Sequence, residues 1–232
     1  MTVSLSSDRS PGRPRRDDLM SRTAIIRVLA CLSTMLAQPA YAVPVMTGAQ
    51  ASGGGPVVTS DHGVTGVALH SPRTIITWSS FDVGSGESVN YTFDSRSWIV
   101  LNKITTYTPP KIDGTITGKV GGAFGGNVWF TTPGGMIFGA GSQFDAGGIM
   151  VTTASPDSAS FLDPSKSSFD FSGGEVFGST SLALKGDARI TSHGGLLTLI
   201  APSVTSEAAS VVSAQDGGSV FYGATGSYKL TR

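Results

Sequence analysis

Three aspartates have the spacing that acid–base chemistry on a polysaccharide would need. Asp145, Asp170 and Asp216 each lie one to three residues before a pair of glycines. If those pairs mark equivalent points of a coiled chain, the carboxylates stack along one edge, about 4.8 Å apart per coil. Two carboxylates within roughly 5 to 10 Å can act as general acid and base on a glycosidic bond. The row is a candidate active site of a lyase or hydrolase, although Asp beside Gly is also common in turns, where its side chain caps the backbone.

The remaining reactive side chains form no motif. The histidines are far apart in the sequence: His62, His70 and His193. The tryptophans lie in or beside apolar runs, where core packing is commoner than stacking on a sugar: Trp78, Trp98 and Trp129. Neither a zinc-protease helix, a nucleophile elbow nor a phosphate-binding loop is present. We therefore expect no catalytic residue, metal or cofactor, with the secreted polysaccharide lyase or hydrolase as the alternative.

The composition indicates one β-rich domain. Among 232 residues, 16 basic and 16 acidic side chains balance, and charged residues make up only 14%. A nucleic-acid partner is excluded because the chain has no basic stripe to bind phosphates. The 31 glycines argue against a helical bundle. No apolar run reaches the length of about 20 residues that a transmembrane helix needs.

Paired glycines followed by an apolar or β-branched run recur along the second half of the chain. The pairs are Gly125-Gly126, Gly147-Gly148, Gly173-Gly174, Gly194-Gly195 and Gly217-Gly218. Their first members are 22, 26, 21 and 23 residues apart. A sustained period in the low twenties is typical of a solenoid, and it is too short for a βαβ unit of about 30 residues.

These runs predict an all-β, right-handed parallel β-helix whose inward side chains stack into an apolar column. Shorter β-rich segments at residues 112–117 and 188–191 predict two or three strands per coil. An antiparallel sandwich is the alternative fold, but it gives no reason for the period. We expect residues 43–93 to cap the open amino-terminal edge and coils to fill residues 94–232. The last residues, 228–232, directly follow a coil, which suggests that the solenoid continues.

The first 42 residues have the pattern of a signal peptide with a basic amino-terminal extension. An arginine-rich lead precedes an apolar stretch at residues 28–37, and Ala40-Tyr41-Ala42 follows. Small residues at Ala40 and Ala42 fit the shallow pockets of a signal peptidase. The sequence predicts export by the Sec machinery and cleavage before Val43, with the natural start at Met1 or Met20 left open.

The only cysteine, Cys31, lies in this apolar stretch and leaves with it. The processed chain then has no disulfide and no thiolate. An alternative is a surface lipoprotein adhesin, because residues 28–31 resemble a lipoprotein processing site that would acylate Cys31 and retain it.

Five blocks of the processed chain occur in the order of a known family. They run from Trp78 to Val89, from Ile99 to Ile104, from Ile112 to Ile116, from Thr132 to Gly139 and from Phe144 to Thr153. Together they resemble the amino-terminal two-partner secretion (TPS) domain of the filamentous haemagglutinin family of exoproteins. The resemblance implies a right-handed parallel β-helix with an amino-terminal cap.

The resemblance also implies a function in protein transport. After Sec export from a Gram-negative cytoplasm, such a domain is recognised in the periplasm by the POTRA domains of a dedicated outer-membrane β-barrel transporter. It then nucleates β-helix folding as the exoprotein is secreted or displayed at the cell surface. Adhesion, cytolysis or binding to host or cell-surface ligands is carried by regions beyond the domain.

The residues that the resemblance assigns to transporter recognition form one loop with its following strand, and one asparagine. They are Asn102, Thr132, Pro133, Gly134, Gly135, Met136, Phe138 and Gly139. The family has asparagines where this chain has Thr132 and Gly134, so the role of the loop carries over but that of asparagine side chains there does not. Asn102 matches the family residue.

Overall fold

The structure is a computed structural model that describes residues 41–173 and 180–231. The first strands are β1 (Val45–Ala51), β2 (Gly54–Asp61), β3 (Val64–His70), β4 (Arg73–Ser80), β5 (Ser88–Phe93), β6 (Ile99–Ile104), β7 (Lys111–Ile112), β8 (Thr115–Val120), β9 (Ala123–Phe124), β10 (Asn127–Thr131) and β11 (Met136–Phe138). They are followed by β12 (Gln143–Ala146), β13 (Gly148–Thr152), β14 (Ser155–Pro156), α1 (Ser158–Leu162), β15 (Ser168–Ser172), β16 (Ser181–Leu184), β17 (Arg189–His193), β18 (Leu196–Ile200), β19 (Ser203–Ser206), β20 (Val211–Gln215), β21 (Ser219–Gly223) and β22 (Tyr228–Thr231).

These strands build a β-solenoid of about six turns, with 3% helix. The first sheet has the order β1-β4-β6-β10-β13-β18-β21, the second β2-β3-β5-β8-β12-β17-β20, and the third β7-β11-β16-β19. From β3 onward, neighbours within these three sheets pair in parallel. Complete coils therefore present three strands, and the predicted parallel β-helix is confirmed.

The glycine-pair repeat marks the first sheet, with one exception. The runs after residues 126, 147, 195 and 218 become β10, β13, β18 and β21, which stack directly on one another. The prediction that the run after Gly173 adds a coil is wrong, because β13 pairs with β18 and leaves no place between them. Gly173 instead follows β15, which belongs to a separate antiparallel sheet, and residues 174–177 of that run lie outside the described residues.

The cap consists of two antiparallel strands. β1 pairs with β4, and β2 pairs with β3, both antiparallel. Parallel pairing already starts between β3 and β5 and between β4 and β6, inside the segment 43–93 that the sequence assigns to the cap. The antiparallel cap thus occupies β1 and β2 alone. It supplies hydrogen-bond partners to the edge strands β3 and β4 that would otherwise be exposed.

The interior of the solenoid is a continuous apolar column with an aromatic ladder. Phe81 packs edge-on against Trp78 and Phe130, at centroid distances of 5.1 and 4.9 Å. Phe144 continues the ladder at 5.8 Å from Phe130. All four side chains are at most 1% exposed. Inward-facing residues alternate with outward-facing ones along each strand, so in-register stacking places like residues above one another.

A second apolar cluster lies on the outside of the first sheet. After β13 the chain leaves the coil, and α1 and β15 carry Phe161, Phe169 and Phe171 onto Trp129. We call β14, α1 and β15 the outer cover. β22 does not follow as a further coil but pairs antiparallel with β15. Within the described ranges, helical structure falls short of the length and hydrophobicity that a membrane span requires.

Candidate functional site

The loop assigned to transporter recognition is a tight turn between β10 and β11. The Thr132 amide donates to the Thr152 carbonyl at 2.9 Å, which ties the turn to the next coil. The Thr132 hydroxyl donates to the Gly135 carbonyl at 2.6 Å, and the Gly135 amide donates to the Thr132 carbonyl at 3.0 Å. A short polar side chain is suited to closing such a turn on itself. Thr132 therefore has a structural role inside the turn.

The two glycines of this turn are required by the coils above and below it. A Cβ atom on Gly134 would overlap the backbone carbonyl of Tyr107 in the preceding coil. A Cβ on Gly135 would overlap the Ser181 carbonyl in the following coil, and its φ of 85° is in the left-handed region that favours glycine. The turn is thus held between two neighbouring backbones, and larger residues cannot enter it without separating the coils.

The rest of the segment faces inward. Met136 and Phe138, on β11, are fully buried in the column, and Phe138 lies in register with Ile112 and Leu184. Gly139 is buried, and a Cβ there would overlap the Asp113 carboxylate. We call residues 132–139 the recognition segment.

Little of the recognition segment can be touched from outside in the folded protein. Of its assigned residues, Pro133 and Gly134 are half-buried and the others are buried. A partner that contacts the buried side chains must therefore bind them before the coil folds.

Asn102 is the polar centre of the apolar column. Its Oδ1 accepts hydrogen bonds from Trp78 Nε1 at 3.0 Å and from the Tyr91 hydroxyl at 2.7 Å. Its Nδ2 donates to the Trp129 carbonyl at 3.1 Å. The side chain is fully buried and lies in register between Ile76 and Phe130. Asn102 is therefore inaccessible in the folded domain and joins three successive coils.

The two side chains that bind Asn102 were not assigned a polar role from the sequence. Burial raises the pKa of the Tyr91 phenol well above its usual value, and the hydrogen bond with Asn102 only partly opposes this. Tyr91 therefore remains a neutral donor at physiological pH. The one available signal was a lone asparagine in the apolar run of β6, which must find buried partners because an unpaired amide is costly inside a protein.

The predicted row of three aspartates does not form. Asp145 Oδ1 lies 3.0 Å from His193 Nε2, and Asp216 Oδ2 lies 4.0 Å from His193 Nδ1. Asp170 is elsewhere, opposite Lys229, because its strand β15 belongs to the antiparallel sheet of the outer cover and not to the coil stack. His193 also stacks on Phe124 at a centroid distance of 4.4 Å. The histidine thus bridges two carboxylates on the outer surface of the second sheet.

The other reactive side chains stay apart. His62 pairs with its neighbour Asp61, and His70 lies 3.7 Å from Asp94. Residues 41–173 and 180–231 contain no group of three or more histidines, cysteines or acidic residues placed to hold a metal ion. The tryptophans are packed rather than displayed: Trp78 and Trp129 are buried, and Trp98 is partly buried against the core.

The predicted cleavage site lies at the start of the described chain. Ala40 falls outside the described residues, Val43 is exposed, and Pro44 is buried. The Ala42 amide donates to Glu87 Oε1 at 2.7 Å. The bond between Ala42 and Val43 therefore joins a residue held by Glu87 to an exposed one.

Comparisons with known proteins agree with this architecture. The family model "TPS secretion domain" matches residues 47–229. The crystal structure of the HMW1 secretion domain from Haemophilus influenzae superposes with a TM-score of 0.63 at 20% identity, covering 80% of this chain and 46% of that one. The heme/hemopexin-binding protein of Haemophilus influenzae is 28% identical over 83 residues, which are 36% of this chain and 8% of that protein.

The structural likeness, at this low identity, shows the fold. The family match extends over most of the chain and shows the family. TPS domains are recognised by a TpsB outer-membrane transporter, and TPS exoproteins are secreted from Gram-negative bacteria. The chain, which spans only a small part of its curated relative, belongs to the TPS secretion domain family and is the secretion domain of an exoprotein.

Proposed function

We propose that the POTRA domains of the cognate TpsB transporter recognise this domain as an extended chain, through the recognition segment, after Sec export and cleavage between Ala42 and Val43. The observation that carries the proposal is the burial of the recognition segment in the folded coil. Folding then starts at the cap and proceeds coil by coil outside the cell.

The pattern of the recognition segment suits binding by strand addition. On β11, Met136 and Phe138 point inward in the folded coil while Ile137 between them is half-buried. In an extended chain, main-chain groups of such a segment can pair with the edge of a partner sheet, and alternate side chains can enter pockets. The same apolar side chains therefore bind the transporter while the chain is extended and pack in the core once it has folded.

The solenoid is built for folding in one direction. β1 and β2 close the amino-terminal edge, whereas β19, β20 and β21 are the last strands of the three sheets. At that opposite end, Val220, Phe221 and Tyr222 are 39 to 53% exposed. Each coil contacts chiefly its neighbours, so folding can propagate from the cap. Residues 43–232 contain no cysteine, so no disulfide can lock the chain before transport.

The domain itself has no active site in this proposal. Asp145 and Asp216 are bridged by His193 rather than facing a groove as a pair, and Asp170 lies in the outer cover. The lyase or hydrolase alternative is not favoured. Heme or hemopexin binding is the property named for the curated relative. Host or cell-surface ligands of the present exoprotein would bind through regions outside this domain.

The test combines secretion with binding to purified POTRA domains. Release of the signal-bearing chain into the medium should require the transporter. It should be lost when residues 132–135 are replaced by a serine-rich linker of equal length. The matched control changes Ala208 and Ala209, two exposed residues of the turn between β19 and β20, to serine and should leave release unchanged.

Immobilised POTRA domains should bind chain freshly diluted from urea and lose that binding once the chain has refolded. Equal release with and without the transporter would contradict the secretion role of this chain. Equally tight binding of refolded and unfolded chain would contradict recognition in the extended state.

A further inference from the structure

Glu87 is a nearly buried carboxylate with two backbone donors and no cationic partner among the described residues. Glu87 lies between the preceding turn and the first residue of β5, and the residue is 9% exposed. Oε1 accepts from the Ala42 amide at 2.7 Å, and Oε2 accepts from the Gly84 amide at 2.6 Å. No lysine or arginine in the described part of the chain forms a salt bridge with it. Burying an anion without a cation is costly, so this position is suited to a positive charge.

The residues that now occupy the space beside Glu87 are the two that signal cleavage removes. Ala42 provides the amide donor. The Tyr41 ring packs on the α-carbon of Gly63, where a Cβ atom would lie 2.7 Å from Tyr41 Cδ1 and 3.1 Å from Glu87 Cγ. Tyr41 also meets the ring of His62 edge-on at 6.4 Å. Cleavage would therefore empty this space and remove one of the two donors to Glu87.

We propose that the Glu87 carboxylate is the binding site for the α-ammonium group of Val43 in the processed chain. The inference rests on the proposed cleavage between Ala42 and Val43. Hydrolysis adds water across that amide: the new carboxylate leaves with Ala42, and the amino group stays on Val43 and takes up a proton at neutral pH. An ammonium donor then replaces the neutral Ala42 amide, and charge-assisted hydrogen bonds of this kind are roughly twice as strong.

The geometry brings the new ammonium close to its site. Successive backbone nitrogens are roughly 3 to 4 Å apart, so the Val43 nitrogen starts one residue from the position of the Ala42 amide. Buried Pro44 anchors the chain on the other side. Loss of Tyr41 and Ala42 leaves room for Val43 to turn toward Glu87.

The ion pair would couple processing to folding of the cap. It joins the chain just before β1 to the turn before β5, and it exists only once the signal is removed. The precursor lacks it, so its cap is less stable and the precursor stays extended more readily. The other titratable groups around the site are Asp61 and His62, on the turn between β2 and β3, and the Lys111–Asp113 pair beyond Gly114, which packs on the Glu87 backbone.

The experiment compares chain 43–232 carrying a free Val43 amino group with the same chain acetylated at that nitrogen. Each of the two chains is made with Glu87 and with Glu87→Gln. All four carry His62→Gln, so that the nearest histidine does not titrate in the pH range of the experiment. Urea unfolding is followed from pH 6 to pH 10. In the free chain at pH 6.5, Glu87→Gln should lower the folding equilibrium constant about tenfold, the equivalent of one pKa unit.

The pH dependence has a defined sign. A carboxylate partner raises the pKa of the folded α-amino group above its unfolded value of about 7.7 to 8.0. The Glu87-dependent stability should therefore be fully present below that unfolded pKa and disappear as the pH rises through the folded pKa. In the acetylated chain, Glu87→Gln should have an effect that does not change with pH over this range.

Two readouts keep the inference separate from the proposed processing. The 15N shift of labelled Val43 in the unsubstituted chain reports the α-amino pKa directly, and an unshifted value overturns the ion pair even if Glu87→Gln misfolds. Equal effects of Glu87→Gln in free and acetylated chains overturn it too. The mass of the exported chain tests the cleavage: a start other than Val43 overturns cleavage and ion pair together. Transporter-dependent release is measured independently of both.

Discussion

Replacing Asn102 should remove a large part of the stability of this domain. Asn102→Ala leaves two buried side-chain donors without their acceptor, the Trp78 indole N–H and the Tyr91 hydroxyl, and removes one hydrogen bond to the Trp129 carbonyl. Each unsatisfied buried group costs about 1 to 3 kcal/mol. We expect a total loss of about 4 kcal/mol or more, allowing for partial rescue by water in the space left behind. Single domains have total stabilities of about 5 to 15 kcal/mol.

The matched control is Asn90→Ala. Asn90 is half-buried on the second sheet and pairs with Thr117 and Ser88 at 2.8 and 3.0 Å, so its partners can turn to water when it is removed. We expect a cost of about 1 kcal/mol or less. Urea unfolding followed by tryptophan fluorescence measures both variants. A double-mutant cycle with Tyr91→Phe then isolates the contribution of that one pair.

The same variant separates folding from recognition. If Asn102 acts only in the folded core, Asn102→Ala should still bind the POTRA domains when diluted from urea, although little folded protein accumulates in the medium. An Asn102→Ala chain as stable as Asn90→Ala would refute the reasoning from buried hydrogen bonds. A fully stable chain that no longer binds the transporter would make Asn102 a contact residue.

Three further substitutions test other parts of the structure. Gly135→Ala should destabilise the domain by about 2 kcal/mol or more, because of positive φ and overlap with the Ser181 carbonyl; an unchanged urea midpoint would contradict the tight turn. Tyr91→Phe should cost about 1 kcal/mol at pH 7 and flatten the alkaline loss of stability. Because burial raises the pKa of the folded Tyr91, its contribution to stability is present below the unfolded pKa of about 10 and is lost as the pH rises above it. If the urea midpoints of the unsubstituted and Tyr91→Phe chains change equally with pH between pH 9 and pH 11, this reasoning is wrong. Phe161→Ala removes a ring that packs on Trp129 and under Arg73 and should cost about 3 to 5 kcal/mol; limited proteolysis should then cut the outer cover first, and simultaneous loss of the coils would show that the cover and column unfold as one.

The repeat and the alternation of apolar residues could be interpreted without a structure because they are local. A run such as residues 127–131, which becomes a strand buried on both faces, needs only its own apolar and β-branched residues to predict a strand. A fixed period then places it above its counterpart at residues 148–152. The loop at residues 132–135 was identified from the family resemblance, because its glycine pair does not follow the repeat. The signal cleavage before Val43 remains a prediction from local pattern alone.

The outer cover and the polar contacts depended on the tertiary structure. The glycine pair after β15 fits the period in the sequence, yet Phe161 and Phe169 pack with Trp129 in a second apolar cluster and β15 does not join the coil stack. The local sequence does not indicate which face of the first sheet the outer cover packs against. The aspartate row failed for the same reason, since Asp170 followed the cover and left the coil stack.

The sequence by itself determined that this protein is a β-solenoid of a secretion family, because period, glycine turns and ordered blocks are properties of the chain. The tertiary structure alone decided that Asn102 joins Trp78, Tyr91 and Trp129, and that Glu87 reaches Ala42. Those contacts span 11 to 45 residues. Their energies depend on burial and direction, which arise only when separate coils close on one another.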